Sequence, residues 1–437
     1  MAEYYEQDIA NCFADAVGRR GIDRTAHARL VAEAKGALDA VGMAHADGSL
    51  PLYRLPAERA DIAAFGGVAR RFRDSFDDVL ILGTGGSSLG GQTLYSLIDA
   101  GFGPPAGTPR LRFMDNVDPA TFGALFRSLD LSRTGVLAIS KSGTTAETLA
   151  QLAIIVDAMR TRLGEAAVGE RIVAVTEPKD SILTRIAGRF GMERLDHDPL
   201  VGGRFSVLSV VGLLPALIAG LDPAAVREGA ASVLDPVLAG AKPEEVAPAL
   251  GAAVSVGLAR ERGAATTVLM PYCDSLACFG LWFRQLWAES LGKGGNGTTP
   301  ARAVGTVDQH SQLQLYLDGP ADKMFSLILT RAAGRGAAIP ADFSALDGLS
   351  YLRGRTIGDL LDAEGRATAE TLVKNGCPTR IFQIDRVDEA TMGALMMHFM
   401  LETVFAAHLL GVDPFDQPAV EEGKVLTRKY LAEGPAA

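Results

Sequence analysis

Val79-Leu80-Ile81-Leu82 is a short, unbroken apolar run that ends directly in glycines. It has no polar face, so it suits a strand buried on both sides, as in a parallel sheet. A helical stretch over 88–100 follows it. The same unit then recurs. Leu111–Asp115, Val136–Ile139 and Ile172–Val175 are further strand candidates. Between the last two, Leu149, Leu152, Val156, Met159 and Leu163 repeat at helical spacing and stop at Gly164. Strands alternating with helices specify βαβ units and a doubly wound α/β sheet. The second half repeats the theme, with strands expected at 266–270, 325–329 and 380–384 and helices at 275–291, 355–374 and 389–410.

A chain of 437 residues exceeds one ordinary core. The expected division is a helical segment over 1–75, a first sheet domain over 76–222, an Ala- and Pro-rich helical linker over 223–262, a second sheet domain over 263–410 and a terminal segment over 411–437. A formal charge of −10 argues against general nucleic-acid or anionic-membrane binding, but not against one small anionic substrate. The polar start lacks the pattern of a signal peptide, and no unbroken apolar run is long enough for a membrane helix. A cytoplasmic protein is expected. Cys12, Cys273, Cys278 and Cys377 form no CxxC pair and have no His cluster beside them. Reduced thiols and no metal site are the reading.

In open α/β sheets, ligands bind beyond the carboxyl ends of the strands. Two turns there stand out. Gly83-Thr84-Gly85-Gly86-Ser87-Ser88-Leu89-Gly90-Gly91 follows the first strand. It is no dinucleotide fingerprint, because Ser88 takes the place of the last glycine, and no Gly-Lys-Ser/Thr follows for a nucleotide-triphosphate loop. Either it is a tight strand–helix turn, or Gly86 and Ser87 contact a sugar or phosphate. Ser140-Lys141-Ser142-Gly143-Thr144-Thr145-Ala146-Glu147-Thr148 follows the third strand and opens the helix 146–163. Capping a helix needs one hydroxyl, and here there are several beside a helix N-terminus. A monophosphate is the expected ligand, held by Ser140, Lys141, Ser142, Thr144 and Thr145. Glu147 reads as a cap or a complement to the helix dipole.

Arg204, in Val201-Gly202-Gly203-Arg204-Phe205-Ser206, is either a surface residue or a guanidinium aimed at an anionic intermediate. Gln285 and Glu289 are four apart and share a helix face. A lone Glu near a helix end is usually a solvated acid with a pKa near ~4.3. Partial burial would raise it and suit it to proton abstraction beside a carbonyl. Gln309 and His310, a short way on, favour that second reading. His27, His45 and His197 lie in polar stretches and read as surface residues. His398 and His408 lie in an apolar helix and read as core. Lys424 is either an exposed amine on a terminal helix or a donor to a sugar hydroxyl.

Together these segments resemble the phosphoglucose isomerase family. The resemblance runs from about 79 to 427. It includes the glycine turn at 83–90, SKSGTTAET at 140–148, VGGRFS at 201–206, ESLGK at 289–293, DQHSQLQLYLDGP at 308–320 and PFDQPAVEEGK at 414–424. It implies two sugar-isomerase-type (SIS) doubly wound domains, each a parallel sheet between helix layers, and a homodimer. It also implies aldose–ketose isomerisation of a hexose 6-phosphate with no cofactor. Glu289 would move the proton through a cis-enediol, with Arg204 stabilising the enediolate. His310, delivered from the partner subunit, and Lys424 would assist ring opening. Gln285 and Gln417 would orient the substrate. The chain departs from many relatives in carrying Ser142-Gly143 where they have Thr-Phe. A phosphoglucose/phosphomannose isomerase of dual specificity and a non-catalytic sugar-phosphate sensor are the rival readings. The sensor has no need of Glu289, His310 and Lys424.

Overall fold

A computed structural model describes residues 4–343 and 346–434. Among the described residues, two five-stranded sheets carry the chain. The first sheet contains β2 (Asp78–Leu82), β3 (Arg110–Met114), β4 (Thr134–Ile139), β5 (Ile172–Thr176) and β6 (Glu193–Asp196), in the order β3-β2-β4-β5-β6. All its pairings are parallel. The second contains β7 (Thr266–Pro271), β8 (Thr299–Arg302), β9 (Lys323–Thr330) and β10 (Thr379–Ile384), with β1 (Glu6–Asp8) added at one edge. Its order is β1-β10-β9-β7-β8, and only β1 runs antiparallel. The short strands β6 and β8 carry no clear sequence signal. Glu193-Arg194-Leu195-Asp196 is largely polar, and Pro300 interrupts any strand pattern in β8.

Strand periodicity explains the layering. Along β2, Val79 and Ile81 face a central core, while Leu80 and Leu82 face an outer one. Along β9, Met324 and Ile328 face the same central core, and Phe325, Leu327 and Leu329 face a third cluster. The two sheets therefore share one apolar interior. α1 (Leu89–Tyr95) and α2 (Ala146–Leu163) follow β2 and β4. The 223–262 stretch is helical, as its composition predicts. It folds as α3 (Pro223–Leu238) and α4 (Ala247–Arg262), whose apolar faces belong to the central core. α5 (Ala277–Leu291) and α6 (Val307–Ser311) lie in the second half. α7 (Glu389–Leu410) is long and apolar enough to span a bilayer by length and composition, but 89% of its most apolar window is buried. It packs on α3 and α4. Any side chain at Gly229 or Gly393 would strike backbone of the opposite helix, at Ala390 or Val226. Glycine at both positions lets the α3 and α7 backbones touch. α8 (Glu421–Glu433) is exposed on all sides.

Three histidines differ from expectation. His27 and His197 are buried, and His408 is exposed on α7. Their sequence neighbours do not report what packs over them: His27 stacks edge-on against Phe13, and His197 is covered at the end of β6. His398 is fully buried, as expected, inside a polar network. Tyr5 Oη donates to His398 Nδ1 at 2.6 Å, and His398 Nε2 donates to Glu402 at 3.0 Å. Arg380 meets the same carboxylate at 2.8 Å and donates to Ser326. Burial raises the Glu402 carboxyl, but Arg380 and His398 outweigh it and hold it below the usual range. Burial keeps His398 below its usual value and neutral. A Glu402→Ala change leaves Arg380 charged and unpaired in the core. It is expected to lower stability by about 3 kcal/mol in urea unfolding.

Candidate active site

The glycine and hydroxyl turns sit side by side because β2 and β4 are adjacent strands, with Leu82 paired to Ala138. A side chain at Gly83 would press on the Ile139 carbonyl, so the two turns touch. In the hydroxyl turn, Ser140 Oγ and Thr145 Oγ1 are 2.8 Å apart, and Ser142 Oγ and Thr144 Oγ1 are 3.0 Å apart. Thr145 precedes α2, yet its side chain makes no capping bond. The hydroxyls instead bond each other beside the N–H groups of a helix start. Gly143 has φ +66°, and a Cβ there would collide with Ser181 Oγ. That crowding and the left-handed backbone explain the small residue in this turn. Lys141 is half-buried, and its amine lies 3.9 Å from Glu177. Burial pulls it below the usual lysine value, opposed by Glu177 and Asp198.

Arg204 is neither on the surface nor free. It lies in a 3-10 turn over Gly203–Leu208 and is 4% exposed. A side chain at Gly86 would strike the Gly203 carbonyl, so glycine at 86 lets the two turns dock. Every guanidinium nitrogen is engaged. Nε donates to Ser290 at 2.8 Å. Nη1 donates to Glu289 at 3.3 Å and to the Gln417 side chain at 2.7 Å. Nη2 donates to the carbonyls of Pro414 and Asp416. Burial pulls Arg204 below the usual arginine value, against the pull of Glu289, Asp416 and Asp413. It still carries its charge.

Glu289 stands near the end of α5 with its side chain 32% exposed. One carboxylate oxygen accepts from Arg204, and the other accepts from Gln285 Nε2 at 3.0 Å. Gln285 also lies over Gly85 in the glycine turn. Its own Oε1 is buried and accepts no hydrogen bond among the described residues. A buried acceptor without a donor is unfavourable, so this atom points to a ligand hydroxyl. The pieces form one chain of contacts, from the hydroxyl turn through the glycine turn and Gln285 to Glu289, Arg204 and Gln417.

Ser87 closes the glycine turn through its own N–H to Thr84. His310 is exposed on α6 and has no hydrogen-bond or ion-pair partner among the described residues. Lys424 is exposed on α8 and pairs with Glu421 at 2.7 Å. Neither touches Glu289 in this chain. The ESLGK motif also contains Ser290 and Lys293, to which the sequence alone assigns no role. Ser290 is fully buried under Arg204, and Lys293 pairs with Asp416 at 2.6 Å.

The sequence pattern of the phosphoglucose isomerase family matches residues 61–319. That span holds both turns, Arg204, Gln285, Glu289 and His310; Gln417 and Lys424 lie beyond it. A glucose-6-phosphate isomerase of Rubrobacter xylanophilus is 42% identical over 379 residues, 86% of this chain and 87% of that protein. One from Thermus thermophilus is 39% identical over 371 residues, 83% and 86% of the two. Among solved structures, a hypothetical protein from Thermus thermophilus superposes with a TM-score of 0.84 at 36% identity, covering 98% of this chain and 100% of that one. A glucose-6-phosphate isomerase from Chlamydia trachomatis shares the fold with a TM-score of 0.74 at 24% identity, over 85% and 73%. This chain belongs to the phosphoglucose isomerase family.

Proposed function

We propose that the chain is a glucose-6-phosphate isomerase, interconverting D-glucose 6-phosphate and D-fructose 6-phosphate. The observation that carries this reading is the Gln285–Glu289–Arg204–Gln417 chain of contacts beside the hydroxyl turn. In the open-chain sugar, Glu289 removes the proton on C2 and returns it to C1, while the carbonyl oxygen takes up the negative charge. A second proton passes from the C2 hydroxyl to the former carbonyl oxygen on C1, so C1 ends as an alcohol and C2 as the ketone, and the step balances within the substrate. Arg204 holds the enediolate oxygen by charge and hydrogen bonding. The Gln285 Oε1 acceptor and Gln417 orient the sugar hydroxyls.

The phosphate is held by Ser140, Ser142, Thr144 and Thr145 at the N-terminus of α2, with Lys141 adding charge and Gly86 and Ser87 the adjoining wall. Anchoring at C6 contributes binding energy that presses C1 and C2 against Glu289. His310 and Lys424 open the pyranose ring. In this reading the protein is a cytoplasmic homodimer, and His310 serves the site of the partner subunit. Its exposure and its lack of partners among the described residues support that. A fully active monomer in sedimentation under assay conditions would overturn the shared site.

The direct test supplies fructose 6-phosphate and measures glucose 6-phosphate through a coupled dehydrogenase. Turnover is expected, and its absence in folded protein would sink the reading. Running mannose 6-phosphate in parallel checks for dual specificity. A Ser140→Ala, Thr145→Val double variant is expected to raise KM about tenfold and leave kcat nearly unchanged, since it removes donors to a remote charged group. An unchanged KM would move the phosphate elsewhere.

A further inference from the structure

Lys293 lies just past the end of α5, four residues beyond Glu289, with its side chain 16% exposed. Its amine pairs with the Asp416 carboxylate at 2.6 Å and donates to the Asp413 carbonyl. Arg204 grips the same stretch from the other side, through the Pro414 and Asp416 carbonyls and the Gln417 side chain. Phe415 packs at a tilt on Phe205, with ring centroids 5.2 Å apart. Beyond Gln417 the chain leaves the body and enters α8, exposed throughout and carrying Lys424. Val412 and Phe415 pack on the central core, and two cations, Lys293 and Arg204, hold residues 413–417 beside them.

We propose that Lys293 is a positioning residue for the isomerisation. It fastens residues 413–417 to the end of the Glu289 helix, and so sets where Gln417 meets Arg204 and where α8 starts. Arg204 alone cannot do this, because its charge is shared with Glu289 and must turn to the reacting oxygen. Lys293 binds the segment by charge and touches neither Glu289 nor Gln285. The Asp416 carboxylate faces Lys293 while its carbonyl faces Arg204, so one residue joins the two grips.

The activity part of this rests on the isomerase reading. The test has two arms so that the failure of either can be told apart. Hydrogen exchange needs no substrate. Lys293→Met is expected to speed exchange across 413–433 at least tenfold and leave the sheets unchanged, and Asp416→Asn, at an exposed position, is expected to do the same. In fructose 6-phosphate kinetics, both variants are expected to lose roughly tenfold in kcat/KM. The double variant should lose no more than either single one, and Lys293→Arg should recover most of the loss. Unchanged exchange in both single variants would overturn the proposal. So would additive losses in the double variant. Faster exchange with unchanged kcat/KM would also overturn it, by reducing the latch to a structural contact. A wild-type protein with no isomerase activity would refute the functional reading, while the exchange arm would still judge the latch.

Discussion

Replacing Glu289 by Gln is expected to lower kcat for fructose 6-phosphate by on the order of 10³-fold, with KM little changed. The amide has the size of the carboxylate; its oxygen still accepts from Arg204, and its NH2 donates to Gln285 once that amide turns its oxygen over. What it loses is the ability to take a proton from carbon. The two hydrogen bonds on the carboxylate hold it in one orientation, so the variant tests chemistry rather than placement. The second readout is isotopic. In deuterated water the wild type should label the sugar at the carbon that receives the proton, and Glu289→Gln should not. Turnover within tenfold of wild type would remove Glu289 from its role.

Arg204→Ala is expected to lower kcat/KM by about 10³-fold, with most of the loss in kcat. Removing one preorganised donor from a developing oxyanion costs about 10²–10³ in rate. Here the loss also removes one of the two grips on residues 413–417 and leaves the buried Ser290 hydroxyl without its partner. Arg204→Lys should recover only part, because an ammonium cannot span Ser290, Glu289, Gln417 and two carbonyls with one planar fork. Steady-state kinetics of the two variants decide it. A rise in KM with unchanged kcat would make Arg204 a clamp alone.

The sheet-forming runs were legible because fully buried parallel strands leave an unmixed apolar signature, as at Val79–Leu82 and Val136–Ile139. The helix from 146 to 163 was equally plain from its spacing. The Arg204 neighbourhood was half legible: the motif was visible, but surface and site readings stood level. The docking of Gly86 on Gly203 and the burial of Arg204 remove the surface reading. Partners brought together across the chain were out of reach. Lys293 and Asp416 look like ordinary surface charges, and nothing near Arg380 announces that Glu402 neutralises it. Edge strands fail for a different reason. Three residues such as Glu6-Gln7-Asp8 have no periodicity to read, and their pairing is decided by the open edge of β10.

That edge strand has a consequence for synthesis. Glu6 pairs with Gln383, so this strand must wait for a partner synthesised hundreds of residues later. At about 5–20 residues per second the interval is roughly 20–75 s. In its later part, once β6 has been made, the strands of the first sheet are available to each other, while Tyr5 still lacks its partners Phe382 and His398. A fluorescent or protease-sensitive reporter in the first sheet should mature before one at β10.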